Sequence, residues 1–309
     1  MRMKQAHVGI LGLGLLGGSL ALRLGGSGGV RRVSGWDADP AVRAEAARKG
    51  IAHVPEHLED MLCGVDVLIF AVPMRSLEEA NRRVLGALRR NAGIGFSEWP
   101  DLAPMEPLEG PRVVMDLSSA KVEPGELLRG AWRSRYVGFH PMAGKENGGI
   151  ANATPDLFEG ACCAVVPFAE TSEEALAVAE ELALLLGAGA VRIDPAEHDA
   201  IVATVSHLPL LTAAAMVLTA KAEGKSHAAL AALAAGGFRD ATRVASGPAW
   251  LGTDMVDANG DQIRRVAERF IASLKEMLAL PKKELEALLA EAANARDGLV
   301  TVVHKGRAA

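Results

Sequence analysis

From residue 7 to about residue 194, short β-branched runs alternate with longer amphipathic stretches, the pattern of a parallel sheet wrapped by helices. Strands are predicted over residues 7–11, 32–37, 67–72, 113–116, 136–140, 161–167 and 191–194. Asp39 followed by Pro40 predicts a helix start, with Gly50 closing that helix. Ser76 with Glu79, and Thr171 with Glu174, have the spacing of reciprocal capping pairs. After Asp194 and Pro195 the strand pattern stops, and Ala- and Leu-rich helical stretches run to the end. The expected boundary therefore separates an α/β domain, residues 1–194, from an all-α domain, residues 195–309. Residues 211–222 and 228–235 are apolar nearly all round, so they need burial on most faces. A helical domain of that length cannot hide so much alone, which predicts burial against a second copy and hence a homodimer. Residues 91–112, proline-rich and carrying Trp99, form a long excursion whose role the pattern does not disclose.

Composition narrows the partners. At 309 residues the chain is long enough for two cores, and 50% hydrophobic against 23% charged residues is the balance of a cored globular protein. With 33 Lys and Arg against 38 Asp and Glu, the net charge of −5 offers no basic field for a nucleic acid backbone. Cys63, Cys162 and Cys163 lack the paired spacing of a disulfide framework or a structural zinc site, so no metal and a reducing, cytoplasmic setting are expected. The apolar run at residues 8–24 is broken by glycines and resembles neither a signal peptide nor a membrane span.

The chemistry begins where the first strand ends. Gly12, Gly14 and Gly17 follow that strand and open a helix through Leu15 and Leu16. The first glycine permits a tight turn, the second lets a pyrophosphate approach the backbone, and the third lets the helix pack closely. Asp37 ends the second strand 20 residues after Gly17, where a carboxylate accepts both ribose hydroxyls. A Rossmann dinucleotide-binding domain is predicted. A 2′-phosphate would meet the charge of Asp37, and Ala38, Asp39 and Pro40 supply no arginine to offset it, so NAD is expected over NADP. Val72 and Pro73 end a later strand at the same edge and are expected to wall the cofactor cleft.

Polar groups gather at the ends of the next strands. Asp116-Leu117-Ser118-Ser119-Ala120-Lys121 brings a hydroxyl and an ammonium to the nicotinamide edge, and the following strand brings His140. A neutral imidazole suits removal of a hydroxyl proton while a hydride departs, so His140 is the candidate base and Ser119 the group that aligns the hydroxyl. In the helical half, Ser206-His207-Leu208-Pro209 interrupts a helix that begins near His198 and Asp199. A stretch from Gly237 to Arg243 is expected to break two apolar helices, leaving Arg243 to bind a substrate carboxylate.

Taken in order, GLGLLGGSLA, AVP, DLSSAK, GFHPMAG with Glu146, EHD, SHLP and GFRDATRVASGP resemble the prephenate and arogenate dehydrogenase family of tyrosine biosynthesis. The resemblance implies NAD-dependent oxidative decarboxylation of a cyclohexadienol, with His140 accepting the proton, Ser119 positioning the hydroxyl and Arg243 binding carboxylate. His207, Glu146 and Lys121, which lie in or beside the matching motifs, are further candidate substrate contacts, and the resemblance implies a homodimer built on the helical domain. Many prephenate-specific members carry histidine where this chain has Leu210, which places that residue beside the substrate side chain and leaves arogenate as the alternative to prephenate. Prephenate ranks first. No separate tyrosine-sensing domain and no fused mutase are expected. A β-hydroxyacid dehydrogenase would leave His140 without a part, and this chain lacks the glycine pattern that such an enzyme carries before its lysine, here Lys221. A non-catalytic NAD-binding redox sensor would need no base at the nicotinamide edge.

Overall fold

The computed structural model describes residues 1–93 and 110–305, with side chains described through residue 299. Residues 94–109, the greater part of the excursion at residues 91–112, lie outside the described residues. The chain divides into two compact units, Met1–His198 and Asp199–Ala309, a few residues past the boundary read from sequence.

The first unit is built on seven strands, β1 (His7–Leu11), β2 (Arg32–Trp36), β3 (Val67–Phe70), β4 (Val113–Asp116), β5 (Tyr136–Pro141), β6 (Cys162–Val166) and β7 (Gly189–Arg192). They lie in the order β2-β1-β3-β4-β5-β6-β7. All neighbouring pairs are parallel except β5 with β6, so the sheet is the mostly parallel one of the expected fold, with one antiparallel step. The reason lies in the connection. Between β5 and β6 the chain has no long crossover helix, only a loop with a 3-10 turn at Ile150–Asn152, so β6 returns antiparallel.

Alternation along the strands divides two apolar cores. Val8, Ile10, Val67, Ile69, Val113, Met115, Val137 and Phe139 point to one face, against α1 (Leu15–Ser27), α2 (Pro40–Arg48) and α6 (Glu173–Leu185). Leu68, Phe70, Val114 and Tyr136 point to the other, against α3 (Leu58–Leu62), α4 (Leu77–Asn91) and α5 (Val122–Trp132). Burial on both faces is why these strands are apolar throughout.

Local stops and starts follow the sequence in part. Asp39 Oδ1 accepts the Ala41 amide at 2.8 Å ahead of Pro40, and Gly50 takes φ +94° just after α2. The two capping pairs fail. Ser76 makes no side-chain cap: it ends the 3-10 turn Met74–Ser76 in helical geometry with its amide donating to the Pro73 carbonyl at 2.9 Å, and Glu79 pairs with Arg82 and Arg83 instead. At α6 the cap is Ser172, whose Oγ accepts the Ala175 amide at 3.2 Å, while Thr171 donates to the Tyr136 carbonyl and Glu174 binds the chain's N-terminus and Arg112.

Helix α7 (Pro195–Val202) begins in the first unit, which ends at His198, and in the second unit continues through a π-turn at Ala203–His207 into α8 (Leu208–Glu223). Then follow α9 (Leu230–Leu233), α10 (Gly236–Thr242), α11 (Ala249–Ala279) and α12 (Lys282–Lys305). The expected break at residues 237–243 is mostly the short helix α10, started from an extended Ala235 and passing into a 3-10 turn at Arg243–Ser246. A small core of Ala203, Met255, Ile263 and Val266 holds the unit. The apolar helices are not buried within one chain: Leu218 is 63% exposed, Leu233 79% and Leu278 81%. The helical run Pro195–Glu223 is long and apolar enough, by length and composition, to cross a membrane.

Candidate active site

Strand order reverses direction between β1 and β3, so the turn after β1 opens into a crevice at the carboxyl edge of the sheet. Gly12 leaves β1 at φ +94°, and a Cβ there would lie 2.6 Å from the Ala71 carbonyl oxygen. A Cβ on Gly17 would lie 1.9 Å from the Gly12 carbonyl, so α1 closes onto the turn only without side chains at both positions. Gly14, ahead of Leu15 and Leu16, differs. A Cβ there would meet nothing within 4 Å, leaving open space in front of the α1 amides. Two glycines needed for packing and one facing space are what a pyrophosphate-binding turn requires.

Asp37 lies just past β2 with its carboxylate anchored. Oδ2 accepts the Leu13 amide at 2.8 Å and Oδ1 the Asp39 amide at 2.9 Å, and each oxygen retains a lone pair for a ribose hydroxyl. Residues 38–40 hold no arginine, but the first turn of α2 brings one back. Arg43 donates to the Asp37 carbonyl at 2.7 Å, and its guanidinium lies 5.6 Å from the Trp36 ring centroid. A basic residue on the helix following β2 was the available signal. Val72 and Pro73, half-buried, lie beyond the end of β3, with Val72 Cγ1 3.0 Å from the place a Gly12 Cβ would take.

Farther along the edge, β4 and β5 pair with Asp116 opposite Gly138, which sets the turn after β4 beside the end of β5. Lys121, expected to contact substrate, is instead fully buried: its ammonium donates to Asp116 Oδ1 at 2.7 Å. Asp116 also accepts the Tyr136 hydroxyl at 2.7 Å and the Ser118 amide at 2.9 Å. Gly138 makes the space, since a Cβ there would lie 2.9 Å from Lys121 Cδ. An ammonium drawn into that network holds the turn. Above it, the Ser119 hydroxyl oxygen is buried and has no hydrogen-bond partner among the described residues. His140, on β5, is 7% exposed, and its Nδ1 lies 2.9 Å from Nε2 of His198. In the sequence His198 is marked only by the Glu197-His198-Asp199 motif. Glu146 sits half-buried in the loop after β5.

The second unit holds the remaining candidates. His207 is fully buried at the end of the π-turn, with Nδ1 3.3 Å from the Asn259 amide nitrogen, which also donates to the Asp199 carbonyl at 2.8 Å. Accepting at Nδ1 leaves the ring proton on Nε2. Asn259, where α11 leaves helical geometry at φ −135° and ψ 25°, had no sequence signal beyond the glycine that follows it. Arg243 is exposed at the head of its 3-10 turn. Leu210, read as a neighbour of the substrate side chain, packs with Leu208, Leu211 and Leu251 against the helical core. Among the described residues no group of three or more His, Cys, Asp or Glu could hold a metal ion.

Fold and site together define a two-domain, dinucleotide-dependent dehydrogenase. Residues 100–192 match the family "Prephenate dehydrogenase, nucleotide-binding domain" and residues 194–293 "Prephenate dehydrogenase, dimerization domain". Residues 7–92, with the glycine turn, match "NADP oxidoreductase coenzyme F420-dependent". The chain is 28% identical over 308 residues to a prephenate dehydrogenase of Bacillus subtilis, covering 97% of this chain and 77% of that protein. Prephenate dehydrogenase from A. aeolicus, solved with hydroxyphenyl propionate and NAD+, matches with a TM-score of 0.82 and 26% identity over 96% of this chain and 98% of its own. Synechocystis arogenate dehydrogenase matches with a TM-score of 0.71 and 26% identity over 95% and 99%. The chain belongs to the prephenate and arogenate dehydrogenase family.

Proposed function

We propose that this protein is an NAD-dependent prephenate dehydrogenase that converts prephenate to 4-hydroxyphenylpyruvate. The observation that carries the reading is the Ser119 hydroxyl, buried and without a partner among the described residues, in the turn after β4, the strand beside the one that carries His140. A buried hydroxyl without a partner loses hydrogen-bond energy, and a substrate hydroxyl restores it. The open face at Gly14 and the anchored carboxylate of Asp37 fit the pyrophosphate and adenosine ribose of NAD. When bound, NAD accepts the hydride from the ring carbon that bears the hydroxyl.

Ser119 aligns that hydroxyl, and His140 takes its proton as the hydride leaves. Carbon dioxide departs from the opposite ring carbon and leaves its bonding pair in the ring. His140 then returns the proton to the phenolate oxygen, so the product is a neutral phenol. Aromatisation makes the sequence irreversible. Arg243 is retained as the bidentate partner for a carboxylate that the resemblance implies, and His207 as a candidate polar contact to substrate. Glu146 is retained as a further contact.

Support for a homodimer through the helical unit comes from the exposed Leu218, Leu233 and Leu278 and from the dimerisation-domain match. A second copy, rather than a bilayer, would then cover the apolar run at Pro195–Glu223. The three free cysteines accord with a reducing cytoplasm.

The test is direct: mix protein, NAD and either prephenate or arogenate, and follow NADH absorbance. Faster turnover of prephenate is expected. Preference for arogenate would reassign the substrate, and tight NAD binding without turnover of either would leave a sensor.

A further inference from the structure

The nitrogen of His140 turned away from its proposed proton-accepting role faces a second imidazole. His140 Nδ1 and His198 Nε2 are 2.9 Å apart, with the rings edge to face at 67° and their centroids 5.1 Å apart. Both residues are buried, at 7% and 2% exposure. They come from different elements, β5 and α7. The helix start fixes His198, because Asp194 Oδ1 accepts the Ala196 amide at 2.9 Å and the Asp194 carbonyl accepts the His198 amide at 2.8 Å.

Two ring nitrogens at hydrogen-bond distance share one proton, since two N–H groups or two lone pairs would repel. If His140 is to receive a proton at Nε2, that atom needs its lone pair, and the ring's own proton must be on Nδ1. Nδ1 then donates to Nε2 of a neutral His198, whose proton is on its own Nδ1.

We propose that His198 is the positioning residue for the base: it fixes the tautomer and ring plane of His140 and accepts the same hydrogen bond when His140 becomes imidazolium. The inference rests on the reading of His140 as the base. The chemistry also explains an imidazole in place of the more familiar carboxylate. A buried carboxylate would favour the protonated ring and leave less free base near neutral pH. A substrate with two carboxylates pushes in the same direction. A neutral acceptor gives orientation without a further negative charge.

The test compares His198→Gln with His198→Leu in the full chain, assayed with NAD and prephenate. The Gln carbonyl can accept from His140 Nδ1; Leu cannot. His198→Leu is expected to lower kcat about tenfold to a hundredfold while KM for prephenate and Kd for NAD stay within about twofold. His198→Gln should recover at least about fivefold of that loss. A further readout is nitrogen-15 NMR of histidine-labelled protein, where a hydrogen-bonded Nδ1–H assigned through its absence in His140→Asn should appear in the wild type and vanish in His198→Leu. Wild-type kcat in His198→Leu, or a folded Gln variant as slow as Leu, would overturn the proposal. So would a wild-type spectrum without that Nδ1–H, a measurement that stands even if the Leu variant fails to fold. Failure of wild type to turn over either substrate sinks the functional reading instead, while the NMR signal still decides the pairing.

Discussion

Lys121 donates to Asp116 across 2.7 Å with neither side chain exposed, and this pair underlies the turn that presents Ser119. Removing one partner of a buried ion pair strands the other charge. Lys121→Met is therefore expected to destabilise the protein by about 3–5 kcal/mol in urea unfolding, and the added change Asp116→Asn should restore part of it. A Lys121→Met protein of wild-type stability with only a raised KM for substrate would return Lys121 to the role of substrate ligand.

The anchored Asp37 carboxylate and the nearby Arg43 make a two-part prediction about the cofactor. Wild type should use NAD at least tenfold more efficiently than NADP, about 1.4 kcal/mol, because a 2′-phosphate meets the carboxylate. Asp37→Ser should narrow the gap, and the added Arg43→Ala should reopen it by removing the guanidinium that a 2′-phosphate could reach. Equal use of both cofactors by wild type defeats the first part, and a double variant no different from Asp37→Ser defeats the second.

The proton step is tested at His140. His140→Asn should lower kcat about a hundredfold or more with NAD affinity intact, because the glycine turn is untouched. Arg243→Gln should chiefly raise KM, since a carboxylate contact acts in ground and transition states alike. Near-normal kcat in His140→Asn would remove that residue from the role of base.

How much of this was legible in sequence depended on distance along the chain. Gly12, Gly14, Gly17 and Asp37 are connected by one strand-turn-helix-strand unit, so spacing alone positioned them. That the turn carrying Ser119 and the end of β5 share one sheet edge was legible, because each follows an apolar strand, whereas the β4–β5 register that sets them side by side was not. Charge was not. Lys121 looked like a ligand because sequence shows an ammonium but not the Asp116 carboxylate that draws it inward. His198 and Asn259 pair across 58 and 52 residues with His140 and His207, beyond any local pattern. The failed caps have separate local causes: Ser76 ends a 3-10 turn in helical geometry with its amide already given to the Pro73 carbonyl, and the cap of α6 falls one residue past Thr171, at Ser172.

Acid should act partly through His7 at the amino edge of the sheet. Its Nε2 is 2.6 Å from Ser34 Oγ and its Nδ1 3.1 Å from the Gly64 carbonyl, and burial holds its pKa below the usual imidazole range. The unfolded chain therefore binds a proton near pH 6.5 that the fold refuses, so stability falls as pH drops through that value towards the lower folded pKa. Between pH 7 and 5, His7→Asn should show a shallower loss of stability than wild type. Equal slopes would exclude His7 from the acid response.

Leu210 separates packing from specificity. Its side chain belongs to the rim of the small helical core, and its Cδ2 would lie 3.2 Å from a Cβ on Gly252, a neighbour in α11. A histidine there must bring ring nitrogens into apolar surroundings, at a cost of about 1–3 kcal/mol if they stay unsatisfied. Leu210→His should thus lower unfolding stability by that amount and leave the ratio of prephenate to arogenate use unchanged, while Leu210→Met, close in volume, should alter neither much. If the leucine instead faces the substrate side chain, a histidine gains a charged hydrogen bond and the ratio moves about tenfold towards prephenate. Measuring both quantities on one preparation decides between the two, because a core position shifts the melting curve and a pocket position shifts the ratio.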